Sequence, residues 1–388
     1  MSDQYDFSDI APFDDKDFKN KMAELVKEPG FEHAIKYIMP DVNYGEFAKK
    51  LLSVPDKDTF QREVMKEFLN MLATRTTSGI TMGGIENIES DKCYTFMSNH
   101  RDIVLDASFL NYCLIQHNLP TSEIAIGNNL LIFDWITDLV KINKSFIVMR
   151  NLPMTKALEA AKHLSAYIHY AINTKHQSVW IAQREGRAKD SNDRTQESLI
   201  KMLALKGDGS VAENVKDINV MPVAISYEYD PNDYLKATEF LMRRLNPSFK
   251  KSPHDDLLSM ETGLIQPKGH VHFQLSPCIN SKIETIDANA PKADVLKQIC
   301  GFIDDAIHSS YRIYPINYIA YDIIHKNSLF AEQYTSDQVK DVEAYVESQL
   351  DKVRLNDVSA LDREYMREMM YTMYANPLRN KISVESKG

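Results

Sequence analysis

Residues 96–111, FMSNHRDIVLDASFLN, consist of a short apolar run, four polar residues and a second, longer apolar run. The first run is typical of a buried strand, and the second is typical of a helix. The polar residues Asn99, His100, Arg101 and Asp102 therefore follow a strand and precede a helix. In α/β domains, the carboxyl ends of strands are where binding and catalytic sites form. The segment predicts an α/β fold with a site at this junction.

The surrounding chain repeats this alternation of strand and helix patterns. Helical patterns such as residues 155–172 separate short runs rich in β-branched and aromatic residues. Those runs are residues 94–97, 123–126, 145–149, 178–182, 220–227 and 271–275. Alternation of this kind predicts an α/β domain with helices flanking a sheet.

Both ends of the chain have helical periodicity with little strand character. Residues 13–75 carry apolar side chains at helical spacing, and residues 76–87, TTSGITMGGIEN, indicate a connection or a hairpin. Helical patterns return from about residue 291. We therefore predict a helical N-terminal region (1–88), an α/β domain (89–285) and a helical C-terminal region (286–388).

Charge and cysteine content exclude several classes of protein. The 388 residues include 45 Lys plus Arg and 55 Asp plus Glu, a formal charge of −10, which argues against a general nucleic-acid-binding surface. The four cysteines form no CxxC pair, so neither a disulfide framework nor a zinc ribbon is indicated, and we predict no metal site. An acidic N-terminus and the absence of a long apolar run predict a cytoplasmic protein without a membrane span.

His100 has the neighbours that a catalytic base needs. Asp102 and Asp106 are both close enough in sequence to orient its imidazole and to stabilise an imidazolium. A histidine near a helix start is also often a cap or a core group, so both interpretations stay open on these residues alone.

Two further strand ends offer cations. The run SFIVMRN (145–151) ends near Arg150, and WIAQREGRAKD (180–190) carries a second, denser cluster. An arginine matches a phosphate with two hydrogen bonds, a lysine adds a point charge, and a glycine lets a ligand approach the backbone. Salt bridges in a solvated loop would explain the same residues. The candidates in the second cluster are Arg184, Glu185, Gly186, Arg187 and Lys189.

In order along the chain, these clusters resemble the four sequence blocks of the phospholipid/glycerol acyltransferase superfamily, most closely those of bacterial glycerol-3-phosphate acyltransferases. The first block is Asn99-His100 with a following aspartate, and the second is Phe146-Ile147 with Arg150. In the family, the third block has the pattern Glu-Gly-x-Arg-Ser. The fourth is an apolar run with proline, followed by Tyr-Glu. In this chain the third block is Glu185-Gly186-Arg187-Ala188-Lys189, and the fourth is Val220-Met221-Pro222-Val223 with Tyr227-Glu228.

The first block departs from the family spacing. The family has four residues between the histidine and the aspartate, whereas five lie between His100 and Asp106. Asp106 is the favoured partner because the apolar residues after it continue the family's helix, and Asp102 is the alternative. Lys144 also stands where the second block has a glycine, and the third block is one residue shorter.

The resemblance implies a mixed sheet flanked by helices, and transfer of an acyl group from a coenzyme A or acyl carrier protein thioester to a glycerol-type hydroxyl. His100 would be the base, with Asp106 or Asp102 orienting it. Arg150, Glu185, Gly186, Arg187 and Lys189 would bind glycerol-3-phosphate or a lysophospholipid. No cofactor is implied beyond the acyl donor. The alternatives are an inactive acyl- or lipid-binding protein and a thioester hydrolase using the same histidine.

Two segments could serve the lipid substrates. Residues 130–142 predict an amphipathic helix that could line an acyl groove, although a helix half buried on the core has the same pattern. A basic run, residues 241–251, could attract anionic lipid, although a solvated helix face or loop explains it equally well. Peripheral contact with the inner face of the membrane is therefore part of the prediction.

Overall fold

The computed structural model describes residues 6–387. Seven strands form one sheet in the order β1-β7-β6-β2-β5-β3-β4. The strands are β1 (Thr77–Gly83), β2 (Thr95–Ser98), β3 (Glu123–Gly127), β4 (Ser145–Val148), β5 (Val179–Ala182), β6 (Val220–Tyr227) and β7 (Gly269–Leu275).

Strand direction makes the sheet mixed. Neighbours from β6 to β4 are parallel, whereas β7 runs antiparallel to β6 and parallel to β1. The predicted α/β fold, a mixed sheet flanked by helices with helical regions at both ends, is confirmed. Because β2 to β5 are parallel, their carboxyl ends meet at one edge of the sheet.

Seventeen α-helices occur within residues 6–387. The N-terminal group is α1 (Asp15–Leu25), α2 (Pro29–Ile38), α3 (Tyr44–Ser53), α4 (Lys57–Thr59) and α5 (Lys66–Thr76). Between the strands lie α6 (Leu105–Gln116), α7 (Asp134–Ile142), α8 (Met154–Asn173), α9 (Glu197–Leu203), α10 (Val211–Lys216), α11 (Asp233–Leu245) and α12 (Pro253–Ile265). The C-terminal group is α13 (Asn280–Ile283), α14 (Lys292–Ser309), α15 (Pro315–His325), α16 (Ser336–Leu350) and α17 (Ala360–Glu385).

Alternating side chains of the strands fill two apolar layers. In β5, Val179 and Ile181 pack in a layer with α8, α9 and α14, whereas Trp180 packs in the opposite layer with α5 and α6. Successive residues of a strand point to opposite faces, so a fully apolar strand is expected where both faces are covered. This explains why the central strands are continuous runs of mostly apolar residues.

The two helical ends form their own apolar clusters. Helices α1 to α3 pack with α7 around Phe18, Phe31 and Phe60. Helices α15 to α17 pack with α11 around Ile319, Met370 and Tyr374. No helix in residues 6–387 has both the length and the apolar content required to cross a bilayer.

One sequence interpretation is wrong: residues 77–83, read as part of a connection or hairpin, form the edge strand β1. Ile80 pairs with Val271, and Met82 pairs with Phe273, both on β7. Residues 77–83 contain two glycines and two threonines, a composition that resembles a loop, and only pairing with a strand about 190 residues later makes them part of the sheet. The sheet thus begins before the predicted boundary at residue 88.

The predicted amphipathic helix over residues 130–142 is shorter than expected. A short 3₁₀-helix, Asn128–Leu130, precedes α7, which begins at Asp134. Lys141, predicted on the polar stripe, is buried and donates to the backbone oxygen of Ser8 at 3.1 Å. Its long side chain reaches the N-terminal segment, so that segment covers part of the polar stripe.

Candidate active site

The site is built at the carboxyl end of the central strand β2. Asn99, the first residue after β2, is fully buried and bonds the neighbouring strand twice. Its Nδ2 donates to the Ile225 oxygen at 2.9 Å, and its Oδ1 accepts from the Ile225 nitrogen at 2.8 Å. These bonds replace ladder bonds where the strand ends, and they fix the backbone that presents His100.

His100 and Asp106 form a close pair. Nδ1 of His100 lies 2.8 Å from Oδ2 of Asp106, which sits in the first turn of α6. The His100 side chain is 14% exposed and that of Asp106 is 1% exposed. The same Oδ2 accepts from the backbone nitrogens of Arg101 at 2.6 Å and Asp102 at 3.1 Å. The turn that carries His100 therefore folds around the carboxylate of Asp106.

Asp102 takes a different position. Its Oδ1 accepts from the nitrogens of Val104 at 2.9 Å and Leu105 at 2.7 Å, at the start of α6. Its Oδ2 accepts from Asn232 Nδ2 at 3.1 Å. Burial, reinforced by the charge of Asp106, raises the pKa of Asp102 above its ordinary value. Of the two candidate partners, Asp106 contacts the imidazole, and Asp102 caps the helix.

A large apolar cavity of about 1330 Å³ adjoins His100. Its wall comes from the N-terminal helices, helices α6 to α9 and α12, and strands β3 to β5. Trp180, whose ring is 5.7 Å from that of His100 in an edge-on arrangement, also lines the cavity. Representative apolar lining residues are Phe31, Leu51, Phe60, Trp135, Ala161 and Leu257. The predicted contribution of α7 to an apolar groove has a counterpart here, since Trp135, Ile136 and Leu139 line the wall.

Two arginines face the same cavity as His100. Arg150 and Arg184 both line it, and Nε of Arg150 is 3.9 Å from Oε1 of Glu185. A Cβ at Gly127 would lie 2.8 Å from Nε of Arg150, so this glycine leaves room for the guanidinium. Sequence reasoning missed Gly127, because only the folded sheet brings it next to Arg150.

The remaining predicted ligands, Gly186, Arg187 and Lys189, are not among the residues that line the cavity. Gly186 has φ +68°, which turns the backbone so that exposed Glu185 is followed by buried Arg187. The Nη1 of Arg187 is buried and has no hydrogen-bond partner among residues 6–387. Lys189 is ion-paired with Glu239 at 3.0 Å. Burial, reinforced by the charge of Arg187, lowers the pKa of Lys189 to about 7. Neither Arg187 nor Lys189 lines the cavity.

Sequence reasoning also missed the buried ion pair behind the site. Arg101, next to His100, donates Nη1 and Nη2 to the two carboxylate oxygens of Asp193 at 2.9 and 2.6 Å. The Tyr311 hydroxyl donates to the same carboxylate at 2.6 Å. Lys236 donates to the Arg101 backbone oxygen at 3.1 Å and pairs with Asp230. Asp193 and Lys236, the two residues that bond Arg101 directly, are 92 and 135 residues from it in sequence, and no local pattern marks them.

Most of the segment that carries the four sequence blocks also matches a known protein family. Residues 79–226 match the family model described as Acyltransferase. The acyltransferase match runs from within β1 to within β6 and includes His100, Asp106 and the loop after β5. It leaves the helices of the N-terminal and C-terminal regions unmatched.

Among solved structures, one similar chain is the crystal structure of the 1-acyl-sn-glycerophosphate (LPA) acyltransferase PlsC from Thermotoga maritima. The identity is 11% and the TM-score 0.38, over 75% of this chain and 94% of that chain. Similarity at that level says nothing further about the chain. No curated protein matches its sequence.

Proposed function

We propose that this chain transfers a fatty acyl group from a thioester to the hydroxyl of a glycerol-phosphate acceptor. The observation that carries the proposal is the pairing of His100 with buried Asp106 beside an apolar cavity of about 1330 Å³. A base in the wall of a large apolar cavity suits a reaction between a hydroxyl and an acyl chain. The acyltransferase match over residues 79–226 supports the same reaction class.

In the proposed mechanism, His100 acts as a general base. With its Nδ1 proton donated to Asp106, Nε2 carries the lone pair that takes the proton from the acceptor hydroxyl. The hydroxyl oxygen forms a bond to the thioester carbonyl carbon, and the C–S bond then breaks. The departing thiolate takes the proton back from His100, so that the products are an ester and a thiol, and no acyl-enzyme forms.

The cavity supplies the site for the acyl chain. Pockets for drug-sized ligands span roughly 300–1,000 Å³, so a volume of about 1330 Å³ accommodates a long flexible chain. When the substrate binds, its hydrocarbon chain leaves water and contacts the apolar wall of the cavity. This removal of apolar surface from water is the main source of affinity for a hydrocarbon. The donor is a thioester of coenzyme A or of acyl carrier protein.

The arginines and the lysine that follow strands β4 and β5 would hold the acceptor phosphate. Arg150 and Arg184 line the cavity, and Arg187 keeps a buried Nη1 without a hydrogen-bond partner in the described chain. Lys189, ion-paired with Glu239, would add positive charge in its protonated form, and Gly186 sets the turn before Arg187. Glu185, near Arg150, could accept a hydrogen bond from a second hydroxyl of the acceptor.

The acceptor is glycerol-3-phosphate or a lysophospholipid. The Tyr227-Glu228 ending of the fourth block, which resembles that of bacterial glycerol-3-phosphate acyltransferases, favours glycerol-3-phosphate. The same residues would also serve a lysophospholipid, since both acceptors present a phosphate and a free hydroxyl.

The test is an acyl-transfer assay with a labelled long-chain thioester and a panel of acceptors: none, glycerol-3-phosphate, lysophosphatidate and other lipids with a free hydroxyl. We expect ester product from the wild type and a loss of at least about 10²-fold in rate for His100→Ala. His117→Ala, which changes an exposed histidine at the end of α6, is the matched control. Release of free fatty acid without ester would instead indicate a hydrolase, and no turnover by the folded protein would indicate a binding protein.

A further inference from the structure

Arg184 follows strand β5 at the same level at which His100 follows β2. The two strands are neighbours and parallel, with Ser98 opposite Ala182, and each of the two residues lies two positions further along its own chain. The Gln183 nitrogen donates to the Ser98 oxygen at 2.8 Å, so the chains run side by side beyond the strand ends. Neighbouring strands are roughly 4.8 Å apart. The register therefore places Arg184 next to His100, and both residues line the cavity.

The Arg184 side chain has no polar partner in the part of the chain that the structure describes. Its Nε is buried without a hydrogen-bond partner, and its guanidinium forms no ion pair within residues 6–387. The residue is half-buried against an apolar wall. A guanidinium in such a place loses hydration without gaining a counter-charge, which costs free energy. Negative charge on a bound molecule would offset that cost.

The polar side chains on either side of His100 are already bonded within the fold. Asn99 uses both Nδ2 and Oδ1 on the backbone of Ile225. Arg101 donates Nη1 and Nη2 to the carboxylate of Asp193. The donors of Arg184 have no such partners, so they are available to a substrate bound beside His100.

The backbone that carries Arg184 is held on both sides by one residue. The Gln196 nitrogen donates to the Gln183 oxygen at 3.0 Å, and its side-chain Oε1 accepts from the Glu185 nitrogen at 2.7 Å. Gln196 itself precedes α9 directly. The backbone on which the guanidinium is mounted is thus fixed before substrate binds, and fixed donors are what electrostatic stabilisation of a transition state requires.

We infer that Arg184 stabilises the oxyanion that forms on the thioester carbonyl oxygen. The inference rests on the proposed function. As the acceptor oxygen bonds to the carbonyl carbon, its proton passes to Nε2 of His100, and an electron pair of the C=O bond moves onto the carbonyl oxygen. The N–H groups of Arg184 donate to this oxyanion. The C=O bond then re-forms while the C–S bond breaks, and the leaving thiolate takes the proton from His100.

The position of Arg184 favours the carbonyl oxygen over the acceptor phosphate. The oxyanion forms on the carbon that the acceptor oxygen attacks, and that oxygen must lie within reach of His100. In glycerol-3-phosphate, by contrast, the phosphate and the terminal hydroxyl are at opposite ends of the glycerol. Arg150 follows β4, which is two strands further from β2 than β5 is. Arg184 therefore suits the reacting centre, and Arg150 suits a group farther along the acceptor.

The first experiment is steady-state acyl transfer with each substrate varied in turn. We expect Arg184→Met to lower kcat by about 10²-fold with both KM values nearly unchanged, because the donor acts mainly in the transition state. Arg184→Lys keeps the charge and should recover part of the rate. Arg379→Met makes the same change at an exposed position of α17 and should behave as the wild type. A rise in the acceptor KM with unchanged kcat would assign Arg184 to the phosphate and overturn the inference.

The second experiment does not depend on turnover. A long-chain thioester labelled with carbon-13 at its carbonyl is bound to His100→Ala, and infrared difference spectroscopy measures the carbonyl stretch. We expect a lower frequency than in His100→Ala/Arg184→Met, because a hydrogen bond from Arg184 polarises the C=O bond. Equal frequencies in the two proteins would overturn the inference.

The two experiments separate the inference from the proposed function. An absence of acyl transfer by the folded wild type would count against the proposed function, and the infrared comparison would still decide the role of Arg184. Circular dichroism checks that each variant is folded. Arg184→Gln, which also removes the charge, takes the place of Arg184→Met in both experiments if the methionine variant does not fold.

Discussion

The carboxylate of Asp106 fixes both the His100 ring and the backbone turn that carries it. Its Oδ2 lies within hydrogen-bonding distance of the His100 ring and of two consecutive backbone nitrogens, all from one turn. Because these contacts exist before any substrate binds, the imidazole needs little reorganisation during the reaction, which is what a positioned base requires. The extra residue in the first block is accommodated in this turn, where the backbone of Arg101 and Asp102 faces the carboxylate.

Arg187 gives a test of the phosphate site. We predict that Arg187→Met raises the KM for the acceptor by roughly tenfold or more and leaves the KM for the thioester unchanged, because it removes a charge-assisted hydrogen bond to phosphate. Arg187→Lys should restore part of the acceptor affinity. Steady-state kinetics with each substrate varied in turn measures this. Equal increases in both KM values would assign Arg187 to the support of the fold.

The pKa of the buried Lys268 can be tested through the pH dependence of stability. Lys268 is fully buried, and its Nζ donates to the Gln266 oxygen at 2.7 Å, at the end of α12. Burial lowers the pKa of Lys268 to about 8. The unfolded chain, with an ordinary lysine pKa of about 10.4, binds more protons between these values, so this residue makes the free energy of unfolding rise with pH there.

We therefore predict that the difference in unfolding free energy, wild type minus Lys268→Met, increases between about pH 8 and 10 by up to about 1.4 kcal/mol per unit. Urea unfolding of both proteins at several pH values in this range measures the difference. A difference that stays constant across the range would show that Lys268 has an ordinary pKa in the folded protein.

At the scale of elements, α8 lies between the cavity and the core. Its N-terminal half lines the cavity with small side chains, and its C-terminal half, including Tyr167 and Ile168, is buried against the sheet. Alanines therefore leave open space along one half of a helix whose other half is mostly buried. The cavity depends on side-chain size along α8 as much as on the path of the backbone.

Ala161 offers a test of this point. We predict that Ala161→Phe lowers kcat/KM for a palmitoyl thioester by about tenfold while an octanoyl thioester is little affected, because the larger ring occupies space needed by the longer chain. Ala344→Phe, at an exposed position of α16, is the control for the same change. Equal losses for both thioesters would indicate that the ring disturbs the fold instead.

At the scale of the whole molecule, the C-terminal helices support the loop that carries the candidate phosphate ligands. Asn376 of α17 donates to the Asp190 oxygen at 2.7 Å, and Asn317 donates to the Tyr374 oxygen at 2.8 Å. The Tyr374 hydroxyl accepts from the Asp230 nitrogen at 3.0 Å and donates to Asp233 at 2.8 Å. Helix α17 thus bonds the loop at Asp190 and is itself anchored to α15 and to the segment that follows β6, although these groups are distant in sequence.

A variant that removes the ion pair of Arg101 and Asp193 tests whether such long-range contacts stabilise the fold. We predict that Asp193→Ala lowers the free energy of unfolding by about 3–5 kcal/mol, because it leaves a buried guanidinium without a partner. Asp305→Ala, which removes a surface pair with Lys387, should cost less than about 1 kcal/mol. Chemical denaturation measures both. A loss near 1 kcal/mol for Asp193→Ala would mean that water replaces the missing carboxylate.

The local features could be predicted from the sequence: six of the strands, many of the helices, and the strand ends that carry His100, Arg150 and Arg187. These follow from periodicity and from polar residues after apolar runs, which depend on neighbours in the chain. Three features emerged only in the folded protein: β1 joins the sheet, Asp106 and not Asp102 contacts His100, and Asp193 pairs with Arg101. Pairing of a strand, the direction of a side chain and a buried ion pair all depend on groups distant in sequence, and the energy that selects them exists only once the sheet and its helices have packed.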